Sequence, residues 1–125
     1  MATWQEIGQD NIKAAQVLYE QQQFRSSVSR SYYAAFSVIT HLLSEAGVRY
    51  GGLQETPSHQ ALPGLMKKHL ALAGWQMSAA IAIVRRLYAV RIAADYQRRT
   101  TDAATAREAI RDAAALFRYL GVDDE

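Results

Sequence analysis

Apolar residues in this chain recur at steps of three and four and almost never in strict alternation. That spacing gathers them on one face of an α-helix, whereas a strand needs a period of two. The sequence therefore predicts an all-α fold. The stretch Met77–Tyr96 is the most informative case. Met77, Ile81, Val84 and Tyr88 form one stripe, and the next steps land on Arg91 and Asp95, with Tyr96 beside them. Buried charges are costly unless paired and hydrogen-bonded. The end of this stripe is thus either a structural ion-pair node or a site.

Punctuation along the chain divides it into five helices. Thr3 and Glu6 form a capping box for a first helix, Thr3–Gln21, with Trp4, Ile7, Ala14 and Leu18 on its inner face. A second runs Phe24–Ala46, with the stripe Val28, Tyr32, Ala35, Ile39, Leu42, Ala46 and a stop at Gly47. A glycine-rich loop leads to Pro57. Ser58 caps a short third helix to about Leu72, with Pro63 near its first turns. Gly74 breaks the chain before a fourth helix, Trp75–Arg99. Thr101 or Asp102 caps a fifth, which ends near Leu120-Gly121. Short connections between such helices favour antiparallel neighbours. The expectation is a five-helix up-and-down antiparallel bundle, one domain over residues 1–125.

Composition narrows the chemistry. At 125 residues and 50% hydrophobic, the chain has enough apolar surface for a core. With no cysteine, disulfides, thiolate catalysis and Cys-based zinc sites are excluded. The N-terminus carries no signal-peptide pattern, and no run approaches the roughly 18 apolar residues of a membrane span. A cytoplasmic protein without membrane contact is expected. The net charge is only +2, but from Arg85 to Arg99 five arginines face one acid, Asp95, a local charge of +4. Such a helix suits either a solvated face or a phosphate-bearing partner.

Most enzyme signatures are missing. The histidines His41, His59 and His69 lie on different segments with no metal-binding spacing, so no metal or other cofactor is expected. His59 follows Ser58 at a helix start, from where its ring can reach a neighbouring element. No paired carboxylates share an apolar face, and Ser29 and Ser31 have no base partner. Two polar clusters remain: Ser29-Arg30-Ser31-Tyr32-Tyr33-Ala34-Ala35-Phe36 and Arg91-Ile92-Ala93-Ala94-Asp95-Tyr96. Arg91 and Asp95 are helix neighbours, in the less favourable order for a local pair. A contact between helices, Arg30 with Asp95, is the natural structural alternative.

In order and spacing, these two clusters, with Ser58-His59 and Leu62 between them, resemble the HEPN (higher eukaryotes and prokaryotes nucleotide-binding) family from about Thr3 to Leu120. The resemblance implies a helical bundle that commonly dimerises, a link to nucleotides or RNA, and often a nucleotidyltransferase partner in a toxin–antitoxin-like pair. Some members are metal-independent ribonucleases that carry an arginine followed four to six residues later by histidine. Arg91 matches the arginine and Tyr96 a following tyrosine, but no histidine stands in that window. Imidazole suits proton transfer near neutral pH because it titrates near about 6.5. A carboxylate beside Arg91 is a weaker base and repels phosphate.

The favoured expectation is therefore a non-catalytic nucleotide- or RNA-binding protein. Arg30, Arg85, Arg91 and Arg98 would contact phosphate, and Tyr33 or Tyr96 would stack on a base. Arg30 and Asp95 would form a structural network. The alternatives are a ribonuclease in which Arg91 and Asp95 react, and a purely structural interaction module. In that module Ala79, Ala80, Ala82, Ala93 and Ala94 allow tight helix contact and Tyr96 is a modification target.

Overall fold

The computed structural model describes residues 1–50, 56–97 and 100–124. They form five α-helices: α1 (Trp4–Glu20), α2 (Phe24–Glu45), α3 (Leu62–His69), α4 (Gly74–Tyr96) and α5 (Ala103–Tyr119). A 3-10 turn, His59–Ala61, precedes α3. No strand occurs among the described residues.

Helix ends follow from local chemistry. Thr3 Oγ1 accepts from the Glu6 N–H at 3.1 Å, and Asp102 Oδ1 accepts from the Thr105 N–H at 2.8 Å. The cap of α5 is thus Asp102 rather than Thr101. Three helices close with the same paired backbone bonds. The residue two past the cap donates to a carbonyl in the last turn: Gln23 to Leu18, Val48 to Leu43, Val122 to Phe117. The residue between must take a left-handed conformation. Gly47 and Gly121 do so freely, but α1 uses Gln22 at φ 63°. Around α3 the expectation needs correction. Ser58 caps the 3-10 turn through the Ala61 N–H, at 3.3 Å, and the α-helix begins only at Leu62, where Pro63 is tolerated in the first turn. Gly74 also differs, since it is the first residue of α4 and not a break before it.

α2 is the centre of the bundle and touches α1, α3, α4 and α5. It is buried on nearly every side. Val28, Tyr32, Ala35 and Ile39 lie in the core as expected, but Leu42 is half-buried and Ala46 exposed, and Ala34 and Ser37, outside the expected stripe, are buried as well. The reason is α1. Its buried residues are Gly8, Asn11, Ile12 and Ala15, not the expected Trp4, Ile7, Ala14 and Leu18. A Cβ at Gly8 would stand 2.6 Å from Val38 Cγ2 and 3.1 Å from the Ala34 carbonyl oxygen. Small residues on both helices permit this approach, so the contact face follows side-chain size rather than hydrophobicity. Buried hydroxyls find partners within it: Ser27 Oγ donates to the Ala15 carbonyl at 2.7 Å, and Thr40 Oγ1 to that of Phe36 at 2.8 Å.

α4 packs Ala80, Ile81, Ile83, Val84, Leu87 and Ala94 inward. Ala80 and Ala94 are therefore committed to the core and are not open to a partner helix. Arg86 bridges α4 to α5, with Nε and Nη2 donating to the two oxygens of Asp112 at 3.1 and 2.9 Å. No described helix is long and apolar enough to cross a membrane.

Candidate phosphate-binding site

The charged end of the α4 stripe faces α2. Arg91 Nε donates to Asp95 Oδ2 at 3.0 Å, so the local pair forms despite its unfavourable order. Asp95 Oδ1 accepts from Ser29 Oγ of α2 at 2.6 Å. Both carboxylate oxygens are engaged, with the Arg91 side chain 13% and the Asp95 side chain 27% exposed. The expected Arg30–Asp95 contact is not made. Arg30 Nη1 instead donates to Asn11 Oδ1 at 3.1 Å, because Asn11 lies on the buried face of α1. Asn11 is itself fixed by a bond from its Nδ2 to the Ile7 carbonyl, 3.0 Å.

Above this pair the Arg91 guanidinium lies over two rings of α2, 5.2 Å from the Tyr33 centroid and 5.7 Å from that of Tyr32. Each such contact stabilises by about 0.5–1 kcal/mol when exposed and more when dry. Stacking and the Asp95 bond fix the plane of the guanidinium while using only Nε. Its terminal nitrogens carry no bond among the described residues and are not sealed from solvent. Arg91 borders a cleft of about 570 Å³ between α1, α2 and α4, where Arg25, Arg30, Tyr33 and Asp95 also lie. Three guanidiniums stand there against one carboxylate, and that carboxylate is already bonded twice.

The residue the sequence reading undervalued is His59. Its ring packs at 4.8 Å from Phe36, 5.4 Å from Tyr32, 5.8 Å from Tyr88 and 6.4 Å from Tyr33. A short hydrogen bond joins His59 Nδ1 to the Tyr32 hydroxyl. Tyr32 is 1% exposed, and burial raises its pKa far above the usual phenol value, with Tyr33 and Tyr88 adding to the rise against the pull of Arg91. Tyr32 therefore keeps its proton, and because the described residues offer its buried hydroxyl no other acceptor, it donates to His59 Nδ1. His59 is pushed the other way, its pKa lowered by burial and then by Arg91. A neutral imidazole that accepts at Nδ1 must carry its proton at Nε2. His59 is thus a hydrogen-bond donor at the surface, not a free base. In the sequence it is marked only by its position after Ser58 and by the place of Ser58-His59 in the family resemblance. Its partners come from α2 and α4, and sequence spacing does not show them.

Of the residues expected to bind, Arg30, Tyr33 and Arg91 share the first cleft. Arg85 borders a different one, with His59 and Tyr88. Tyr96 is 73% exposed at the end of α4, and Arg98 lies outside the described residues. Among the described residues no group of three or more His, Asp or Glu could hold a metal ion.

The described residues thus form a small helical bundle in which a guanidinium is held over two tyrosines, next to an engaged carboxylate. The chain belongs to the HEPN domain family, whose model matches residues 1–122. No curated protein and no solved structure matches it.

Proposed function

We propose that this protein binds a nucleotide or RNA without cleaving it, in the Arg-x-x-x-Asp-Tyr branch of the HEPN family. The observation that carries the reading is the guanidinium of Arg91, held by Asp95 and the Tyr32 and Tyr33 rings at the border of the cleft, with its terminal nitrogens unbonded among the described residues. That is the geometry for bidentate contact with a phosphate oxyanion. Arg30 adds charge at the same cleft, and Tyr33 offers a ring edge for a base. Asp95 supports this arrangement rather than reacting, because Ser29 and Arg91 occupy both its oxygens.

The natural setting for such a module is a homodimer or a complex with a nucleotidyltransferase, in a toxin–antitoxin-like or defence pair. The exposed Tyr96 suits modification by that partner.

Anisotropy of a labelled single-stranded RNA tests the reading. Binding should weaken with salt, and Arg91→Lys should cost roughly tenfold in affinity, because an ammonium lacks the planar fork. No RNA or nucleotide binding at low salt would sink the proposal. A second reading, ribonuclease, draws on the imidazole of His59, which the Tyr32 ring separates from Arg91. Incubation with RNA in chelator decides it: intact RNA is expected, and cleavage lost in Arg91→Lys would overturn the non-catalytic assignment.

A further inference from the structure

A second cleft, of about 470 Å³, lies between the 3-10 turn, α3 and α4, where His59, Gln60, Lys67, Arg85 and Tyr88 meet. The aromatic cluster separates it from the first: Tyr33 borders one cleft, His59 and Tyr88 the other. Its chemistry is one-sided. Two cations line it and no carboxylate does. Among the described residues neither Lys67 nor Arg85 has an acidic partner, whereas the adjacent Arg86 is consumed by Asp112. Unpaired neighbouring cations repel each other and gain most from a shared anion.

His59 completes the set. With Nδ1 accepting from Tyr32, its Nε2–H is a neutral donor on a ring held in place by four aromatic neighbours. Gln60 adds an amide. Two positive groups, a fixed N–H and an amide around one cleft match the oxygens of a phosphate group, and the Tyr88 ring supplies a flat face for an attached base.

We propose that this second cleft is a separate phosphate site, formed by Lys67, Arg85 and the Nε2–H of His59. It deepens the phosphate-binding reading of the first cleft and rests on it where one ligand bridges both. Arg85 and Arg91 are six residues apart on α4, about 9 Å along its axis. A strand of RNA reaches across that distance, and a free nucleotide or phosphate ion occupies one site alone.

The test uses three probes on the full chain: a short single-stranded RNA, AMP and inorganic phosphate. The variants are Lys67→Ala/Arg85→Ala, His59→Asn, and Arg91→Lys as the first-cleft control. Lys67 and Arg85 are exposed, so the double variant should melt like the parent. His59→Asn keeps an acceptor near Tyr32 and removes the Nε2–H.

We expect the double variant to weaken RNA roughly tenfold and to reduce the slope of log affinity against log salt by about 1.4, two contacts at 0.7 each. His59→Asn should weaken binding and leave that slope unchanged, because the donor is neutral. Loss confined to RNA assigns the site to a strand, and loss shared by AMP or phosphate assigns it to a free anion. All three probes binding the double variant as they bind the parent overturns the site, and unchanged binding in His59→Asn removes His59 from it. Sensitivity to the double variant but not to Arg91→Lys keeps the second site and discards the first. No binding of any probe discards both.

Discussion

Tyr32 donates its hydroxyl proton to Nδ1 of His59, tying the central helix to the 3-10 turn that leads into α3. The bond joins a fully buried phenol to a ring at the edge of a cleft, so its maintenance depends on the protonation state of the imidazole. Burial and Arg91 both lower the pKa of His59 in the folded chain. The native state therefore holds fewer protons at this position than the unfolded state, in which histidine titrates near about 6.5. Stability from this group is complete above that value and is lost as pH falls through the lower folded pKa. Chemical denaturation between about pH 5 and 6.5, above most carboxylate titration, should show the parent losing stability at no more than about 1.4 kcal/mol per pH unit. In His59→Asn the slope should flatten. An equal slope in both proteins would dissociate His59 from the effect.

Asp95 offers the clearest separation of stability from binding. It accepts from Ser29 and Arg91 and so joins α2 to α4, yet its charge sits at the border of a cleft proposed to take phosphate. Asp95→Asn retains an acceptor for one of those bonds and removes the charge. Folding stability should fall by about 1 kcal/mol, the scale of one weakened, partly exposed charged contact. RNA affinity at low salt should rise, by roughly threefold, because one repulsive charge is gone. Denaturation and anisotropy on the same preparation measure both. A loss of RNA binding in the correctly folded variant would mean that Asp95 contributes to ligand contact.

Much of this architecture was legible in the sequence because helical periodicity reports burial directly. The stripe of α2 as far as Ile39, that of α4, the caps at Thr3 and Asp102 and the stop at Gly47 appear where local chemistry places them, whereas Leu42 is only half-buried and Ala46 lies exposed past the end of α2. The face of α1 was not legible. Gly8 and Asn11 carry no hydrophobic signal, and their burial depends on how closely α2 approaches. The site divided in the same way. Arg91 and Asp95 stood out because charge broke a pattern within one helix. His59 did not, because what distinguishes it is the company of Tyr32, Phe36 and Tyr88 from two other helices. The Arg30–Asp95 pairing failed for a related reason: charge complementarity suggested it, and a buried amide on α1, Asn11, took the guanidinium instead.

The close approach of α1 and α2 has a direct mutational consequence. Gly8→Ala gains helix propensity worth about 1 kcal/mol. It also forces a methyl to 2.6 Å from Val38 Cγ2, with the Ala34 carbonyl at 3.1 Å behind it. Val38 is β-branched and fully buried, so it has no alternative rotamer to retreat into. Overpacking of this kind costs about 1–3 kcal/mol. The net expectation is a destabilisation of about 1 kcal/mol in urea denaturation. Relief should follow from Val38→Ala in the same chain, where the double variant is more stable than the two separate losses would sum to. Additive losses would place the strain elsewhere.

Gln22 supplies the opposite test, a position where glycine should help. It sits at φ 63° between α1 and α2, in the same closing motif that employs Gly47 and Gly121 at the ends of α2 and α5. A side chain in that left-handed region costs about 1–2 kcal/mol. Glycine removes this cost and returns part of it through the greater entropy of the unfolded chain. Gln22→Gly should raise stability by about 0.5–1 kcal/mol, read as a higher denaturation midpoint at constant slope. The turn borders neither cleft, so RNA binding should be unchanged. Gln22→Val, with a β-branched side chain forced into the same conformation, should move the midpoint down; if both variants left it unmoved, the turn would not hold the strained geometry in solution.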